Sequence, residues 1–260
     1  MLLAAFLFRS CLWAAEERVP PSFTSDSIVS SANGSPSSLT PNGVATITGS
    51  HLSEVTQSIP EVLPSMLPTT LGGVRVRIAG IFAFMLSVSP ERVSFLIPYD
   101  LIPGDFVLTL MNQSLFSQAP IKLLDVAPAL LATEGWVAAT HADGSSIAAN
   151  TPARSGETVV IYGAGLGRVE PLHPTQFEGG IQRFAAQILL LDRLRVLIDG
   201  QALPSESILY AGVSPGSVGL YQINLRLPDG MTKNDPEVRI ALDDQLSQSA
   251  VTLRLAADAP

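Results

Sequence analysis

Cysteine is almost missing from this sequence. The single Cys11 in 260 residues rules out an internal disulfide, so stability has to come from buried apolar surface. Charge is scarce as well: 15% of the residues are Asp, Glu, Lys or Arg, against ~25% in an ordinary globular domain. Of these, 15 are basic and 23 acidic, for a net charge of −8. No basic run exists to displace counterions from phosphates, which excludes nucleic acid as a partner. Aromatic residues make up 6% of the chain, with two tryptophans, little for the flat aromatic platform that sugar-binding modules usually present.

What is present points to a folded chain of short strands. Hydrophobic residues reach 47%, far above the apolar content of disordered chains. Gly and Pro, 20 of each, punctuate the sequence often enough for many turns. At the N-terminus, Met1–Phe8 and Cys11–Ala15 are apolar, with Arg9 between them and Glu16-Glu17 after them. The stretch is shorter than the ~20 residues a membrane-spanning helix needs, and Ala14-Ala15 supplies small residues for cleavage. Residues 1–15 are therefore expected to be a signal peptide and 16–24 a tail. An exported mature chain without a transmembrane segment follows.

The sequence repeats itself. Val44, Ile47, Gly49 and Leu52 match Thr158, Ile161, Gly163 and Leu166. Leu71–Gly80 lies without gaps over Leu191–Gly200, both ending in the Gly of a hairpin turn. Val88-Ser-Pro90 matches Val213-Ser-Pro215, Val93–Pro98 matches Ile223–Pro228, and Phe116–Leu123 matches Leu246–Leu253. Blocks recurring in one order imply a duplication, with period-two strands in each copy. The expected fold is all-β: two tandem immunoglobulin-like β-sandwiches, at 25–126 and 150–257, joined by a short ordered hairpin linker. Asp143-Gly144 between short apolar runs marks that hairpin, over 127–149. Ala185–Ile198 is rich in Ala and Leu, yet its partner alternates, so a strand is expected there.

On Ser27–Ala32, Leu71–Val74, Val88–Pro90, Val93–Pro98, Asn150–Pro152, Ile161–Gly167 and Tyr210–Asn224, the chain resembles an uncharacterised family of exported acidobacterial β-domains often found at the C-termini of larger secreted proteins. Its strand openings ending in Gly-x-x-Leu also look like the IPT/TIG branch of immunoglobulin-like folds. The resemblance covers about residues 25–255. It implies export and this fold, and brings no catalytic residues with it.

Sharper motifs reduce to turn chemistry. Gly163-Ala-Gly-Leu-Gly167 lacks the helix that a phosphate loop needs, so it is expected to close the first hairpin of its sandwich. His51, His141 and His173 fall in different loops without a second ligand at metal spacing. No serine sits in a Gly-x-Ser-x-Gly elbow for His51 and Asp143 to serve. Asp243-Asp244 aligns with Asn112-Gln113, a hairpin tip. No catalytic residue, cofactor or metal is expected.

The unshared elements are the 126–150 hairpin and the Gly212–Tyr221 insertion. They make Tyr221, Trp136 and Tyr210 the candidate residues for binding or for an interdomain seam, in which Tyr221 would pack on Trp136. The expected role is an exported structural, adhesive or interaction module whose partner is an extracellular protein or a polysaccharide. A carbohydrate-binding module centred on Tyr221 is the alternative, and a secreted hydrolase comes third.

Overall fold

The computed structural model describes residues 18–170 and 176–256. The expected signal peptide, with Cys11 and Trp13, lies outside the described residues, as does His173.

The fold is all-β and immunoglobulin-like. Strand formation follows the side-chain period: along Val74–Ile78, Val74, Val76 and Ile78 are fully buried while Arg75 and Arg77 point away from the core. One sheet pairs the strands in the order Ile28–Ser30, Val44–Thr48, Arg92–Leu96, Phe84–Val88, Gln57–Ser58. A second sheet has the order Ile81–Phe82, Val74–Ile78, Gly104–Asn112, Leu115–Leu123. Their inner faces enclose one buried cluster running from Ile28 to Leu123. Further along the chain, Ala129–Leu130, Thr158–Ala164, Tyr221–Arg226, Ile208–Val213, Gln187–Ile188 and Val169–Glu170 form a third sheet. A fourth runs Gln201–Ala202, Leu194–Ile198, Val238–Leu242, Gln245–Leu246. These enclose a second cluster, from Val126 to Leu255. Among the described residues, every strand pair lies within one half of the chain or the other.

The register repeats with the order. Ile47 faces Val93 as Ile161 faces Ile223. Val76 faces Leu110 as Val196 faces Ile240. The turns repeat too: Ala79-Gly80 has φ of 49° and 84°, Asp199-Gly200 47° and 79°, as a two-residue type I′ hairpin requires.

Four expectations need correction. The tip residue Asp243 (φ 51°) matches Gln113 (φ 54°), because Asn112 pairs with Leu115 as Leu242 pairs with Gln245. The matching tips are therefore Gln113-Ser114 and Asp243-Asp244. Gly163 does not close a hairpin: it lies inside the strand Thr158–Ala164, where a Cβ would come 2.6 Å from the carbonyl oxygen of Ala129. Gly49 meets the same obstacle, with the Ser22 carbonyl at 2.2 Å. A crossing backbone requires glycine at both places. In Ala185–Ile198 the strand is broken, with Gln187–Ile188 and Leu194–Ile198 separated by a 3₁₀ turn over Leu191–Arg193.

The fourth correction is the linker. The expected hairpin at Asp143-Gly144 forms, with Thr140 bridging Ser146, but Ala129–Leu130 and Ala139–His141 both pair with Thr158–Ala164, so these segments belong to the second unit's sheet rather than to a separate linker. Ala139–His141 stands where Ile28–Ser30 stands in the first unit, each pairing through Ile161 or Ile47. Behind each strand comes the same turn: Ser35 N–H donates to Asn33 Oδ1 at 3.1 Å, and Ser145 N–H to Asp143 Oδ1 at 2.9 Å. Asn33-Gly34-Ser35 and Asp143-Gly144-Ser145 thus form a further repeat block.

Candidate functional site at the seam

Two segments that the second copy has and the first lacks face the first unit. One is the hairpin Ile208–Val213/Tyr221–Arg226. Here the added residues lengthen the ladder, Gly212 pairing Gln222 and Val213 pairing Tyr221, before the chain turns at 214–220. Gly219 (φ 63°) sits so close to the first unit that a Cβ would be 3.0 Å from both Asn42 O and Val44 Cγ2. The other is the excursion through 176–186. Its Gly179 carbonyl accepts the Leu67 N–H at 2.8 Å, and Arg183 donates to Ser65 O at 2.6 Å. The Phe177 ring packs on Tyr99 of the first unit, centroids 4.4 Å apart and tilted by 33°.

A buried polar cluster lies behind these contacts. Gln182 is fully buried. With its amide turned so that both ends are paired, it accepts from Asn42 Nδ2 at 2.9 Å and donates to Leu220 O at 2.7 Å. The Tyr221 hydroxyl donates to Gly167 O at 2.6 Å. Burial pushes its phenol up to about 12, against an opposing hydrogen bond with Asn42, because a tyrosinate loses its hydration there. Tyr221 is therefore a buried seam residue at the end of a strand. Its expected partner Trp136 is elsewhere: that residue pairs with Thr133 and Thr252, and its ring lies under the Arg254 guanidinium at 3.8 Å. Tyr210 hydrogen-bonds the carbonyls of Ala186 and Val213 at 3.1 and 2.9 Å, within the second unit. The three candidates are not brought together.

Beside the cluster, the seam opens into a recess of about 280 Å³. Pro41, Tyr99, Leu101 and Asp125 line it from the first unit and the connecting chain, and Arg168, Glu170, Phe177 and Leu189 from the second. Arg168 and Asp125 form an ion pair at 3.6 Å, both well exposed. The Tyr99 phenol is held above its ordinary value, first by burial and then by a hydrogen bond to Asp100. A second recess of about 550 Å³ adjoins it, sharing Glu170 and Leu189 and adding Gln187, Asp192 and Ser205. Tyr221, singled out from the sequence, also lines the first recess, whereas Tyr99 and Phe177 are 78 residues apart and meet only when the two units dock.

The other chemically capable side chains are tied into turns and edges. Asp143 accepts hydrogen bonds from the backbone N–H and the hydroxyl of Ser145. His141 bonds Glu157 through Nδ1 and meets Thr151 O at 3.2 Å through Nε2. The Glu157 bond raises the His141 pKa above 6.5, against a smaller loss from burial. Sequence spacing gave no hint of this pair. Among the described residues no three His, Cys, Asp or Glu side chains gather as a metal site, and no helix is long and apolar enough to cross a membrane.

No family model matches the chain, and no curated protein sequence does. Among solved structures, it is similar to SGBP-B of the Bacteroides ovatus mixed-linkage glucan utilization locus, in complex with a mixed-linkage heptasaccharide. That likeness has 12% identity and a TM-score of 0.34, over 85% of this chain and 44% of that one. SGBP-B from a complex xyloglucan utilization locus in Bacteroides uniformis is similar at 10% identity and TM-score 0.28, over 90% of this chain and 50% of that one. A titin pair of tandem immunoglobulin domains is similar at 8% identity and TM-score 0.24, over 83% and 87%. The chain spans half or less of the two glucan-locus proteins.

Proposed function

We propose that this protein is a non-enzymatic structural or adhesive module, exported from the cell, in which two sandwiches act as one stiff body. The observation that carries this reading is the closed seam. Inserted segments of the second copy hydrogen-bond the first unit through Leu67, Ser65 and Asn42, and a tight pair of aromatic rings spans the junction. Breaking the bonds of the buried Leu67 or of the fully buried Gln182 would leave a desolvated polar group, which favours this one arrangement. The non-enzymatic reading draws support from where the reactive groups are: His141, Asp143, Asp199 and Asp243 each hold a turn, a strand edge or an ion pair.

The test is fractionation of cells carrying the tagged full-length chain, followed by cross-linking of intact envelopes. Recovery of a shortened chain outside the cytoplasm, cross-linked to one envelope or matrix component, is the expected outcome. A full-length chain retained in the cytosol would contradict the export half of the reading. A hydrolytic activity that survives purification would contradict the other half.

A further inference from the structure

We infer that the seam recess is a binding site for one ring of a neutral saccharide, composed of side chains from both units. The size sets the first limit. At about 280 Å³ it stands at the lower edge of the ~300–1,000 Å³ typical of small-molecule sites, with room for a single ring. The walls set the second. Tyr99 and Leu189, together with the largely buried Leu101 and Phe177, give an apolar side on which the C–H face of a pyranose can pack, as rings of mixed polarity do on aromatic surfaces. Asp125, Arg168 and Glu170 line it as well. Two carboxylates accept hydrogen bonds and a guanidinium donates them, which matches hydroxyls able to do either.

Charge narrows the class further. Arg168 is already engaged by Asp125, leaving the Glu170 carboxylate as the uncompensated charge among these three, on a chain of net charge −8. Acidic saccharides and phosphates are repelled. The adjoining recess, sharing Glu170 and Leu189, lies along the edge strand Val169–Glu170 and its neighbour Gln187–Ile188. Further rings of the same chain would extend along it, beside Gln187, Asp192 and Ser205. The platform is Tyr99, not Tyr221, whose ring is buried and whose hydroxyl is held by Gly167.

This site rests on the adhesive reading above but can be separated from it: a stiff module that binds no sugar overturns the site alone. The experiment is an array of neutral, acidic and amino oligosaccharides probed with the purified chain, followed by calorimetry on the neutral oligosaccharide best retained. Glu170→Gln, an exposed position, should lower affinity by about tenfold, the loss of a hydrogen bond to a charged group, with an unchanged melting temperature. Tyr99→Ala should abolish binding, and Lys122→Ala, on the far edge strand of the first unit, should leave it intact. Retention of no neutral saccharide, preference for an acidic or amino oligosaccharide, or affinity unmoved by Glu170→Gln would each overturn the proposal.

Discussion

The backbone N–H of Leu67 donates to the carbonyl of Gly179 at 2.8 Å, joining a loop of the first sandwich to a loop of the second. The next residue, Gly180, has φ 78°, and a Cβ there would lie 2.7 Å from Phe84 Cδ2 and 2.9 Å from Leu67 Cδ1. Gly180→Ala should therefore push the loops apart and cost ~1–3 kcal/mol in chemical denaturation. Gly200→Ala is the control: its φ is 79° with nothing within 4 Å, so backbone strain of ~1–2 kcal/mol is its only cost. The seam is refuted as a tight junction if Gly180→Ala costs no more than Gly200→Ala and leaves the Leu67 amide equally protected from exchange.

Leu110 and Ile240 hold equivalent register positions, facing Val76 and Val196, and both are fully buried. Truncating either to alanine should cost ~2–5 kcal/mol. Since the two sit in separate buried clusters, their effects should add within ~0.5 kcal/mol in the double variant. Equilibrium denaturation of the two single variants and the double variant measures this, and strong coupling would point to one shared core.

Tyr221 should make stability fall at alkaline pH. Its folded value, about 12, is above the ordinary 10, so the neutral phenol is favoured by folding. The contribution is complete below pH 10 and disappears as pH rises through the folded value. Ultraviolet titration should show a last-ionising tyrosine, later than Tyr99 and Tyr210, whose values burial also raises, and that last step should be absent in Tyr221→Phe. That variant should lose ~1 kcal/mol at neutral pH through the missing bond to Gly167 and have a flatter alkaline profile.

His141 predicts a second pH dependence. Its folded pKa is raised above 6.5 by Glu157, so its stabilising contribution is fully present below pH 6.5 and lost as pH rises through the folded value. Thermal melts across that window should decline for the wild type and change less for His141→Gln. Equal slopes for the two proteins would show that the pair does not titrate as described.

Much of the fold was legible because duplication lets each copy check the other. The matches of Ile47 to Ile161 and Val93 to Ile223 carry the observed register, since hydrophobic alternation with a buried face admits no one-residue slip. The linker was misplaced because Asn33-Gly34-Ser35 and Asp143-Gly144-Ser145 are too short to stand out among ordinary turn sequences. Their kinship shows only in the shared strand partner. Gly163 looked like a turn residue because sequence records a glycine but not the carbonyl of Ala129 that passes over it. The seam was the least readable part. Tyr221 was singled out because it lies in an unshared segment, but its polar neighbours are Asn42 and Gly167, a juxtaposition that no local pattern encodes.

The most direct test of the stiff two-sandwich account is native-state hydrogen exchange at the Leu67 amide. A closed seam predicts protection comparable to that of Val76 and Val196 in the buried strands, lost only on global unfolding. Exchange of Leu67 at the rate of an exposed loop amide, with both strands still protected, would contradict it and show two sandwiches that move independently.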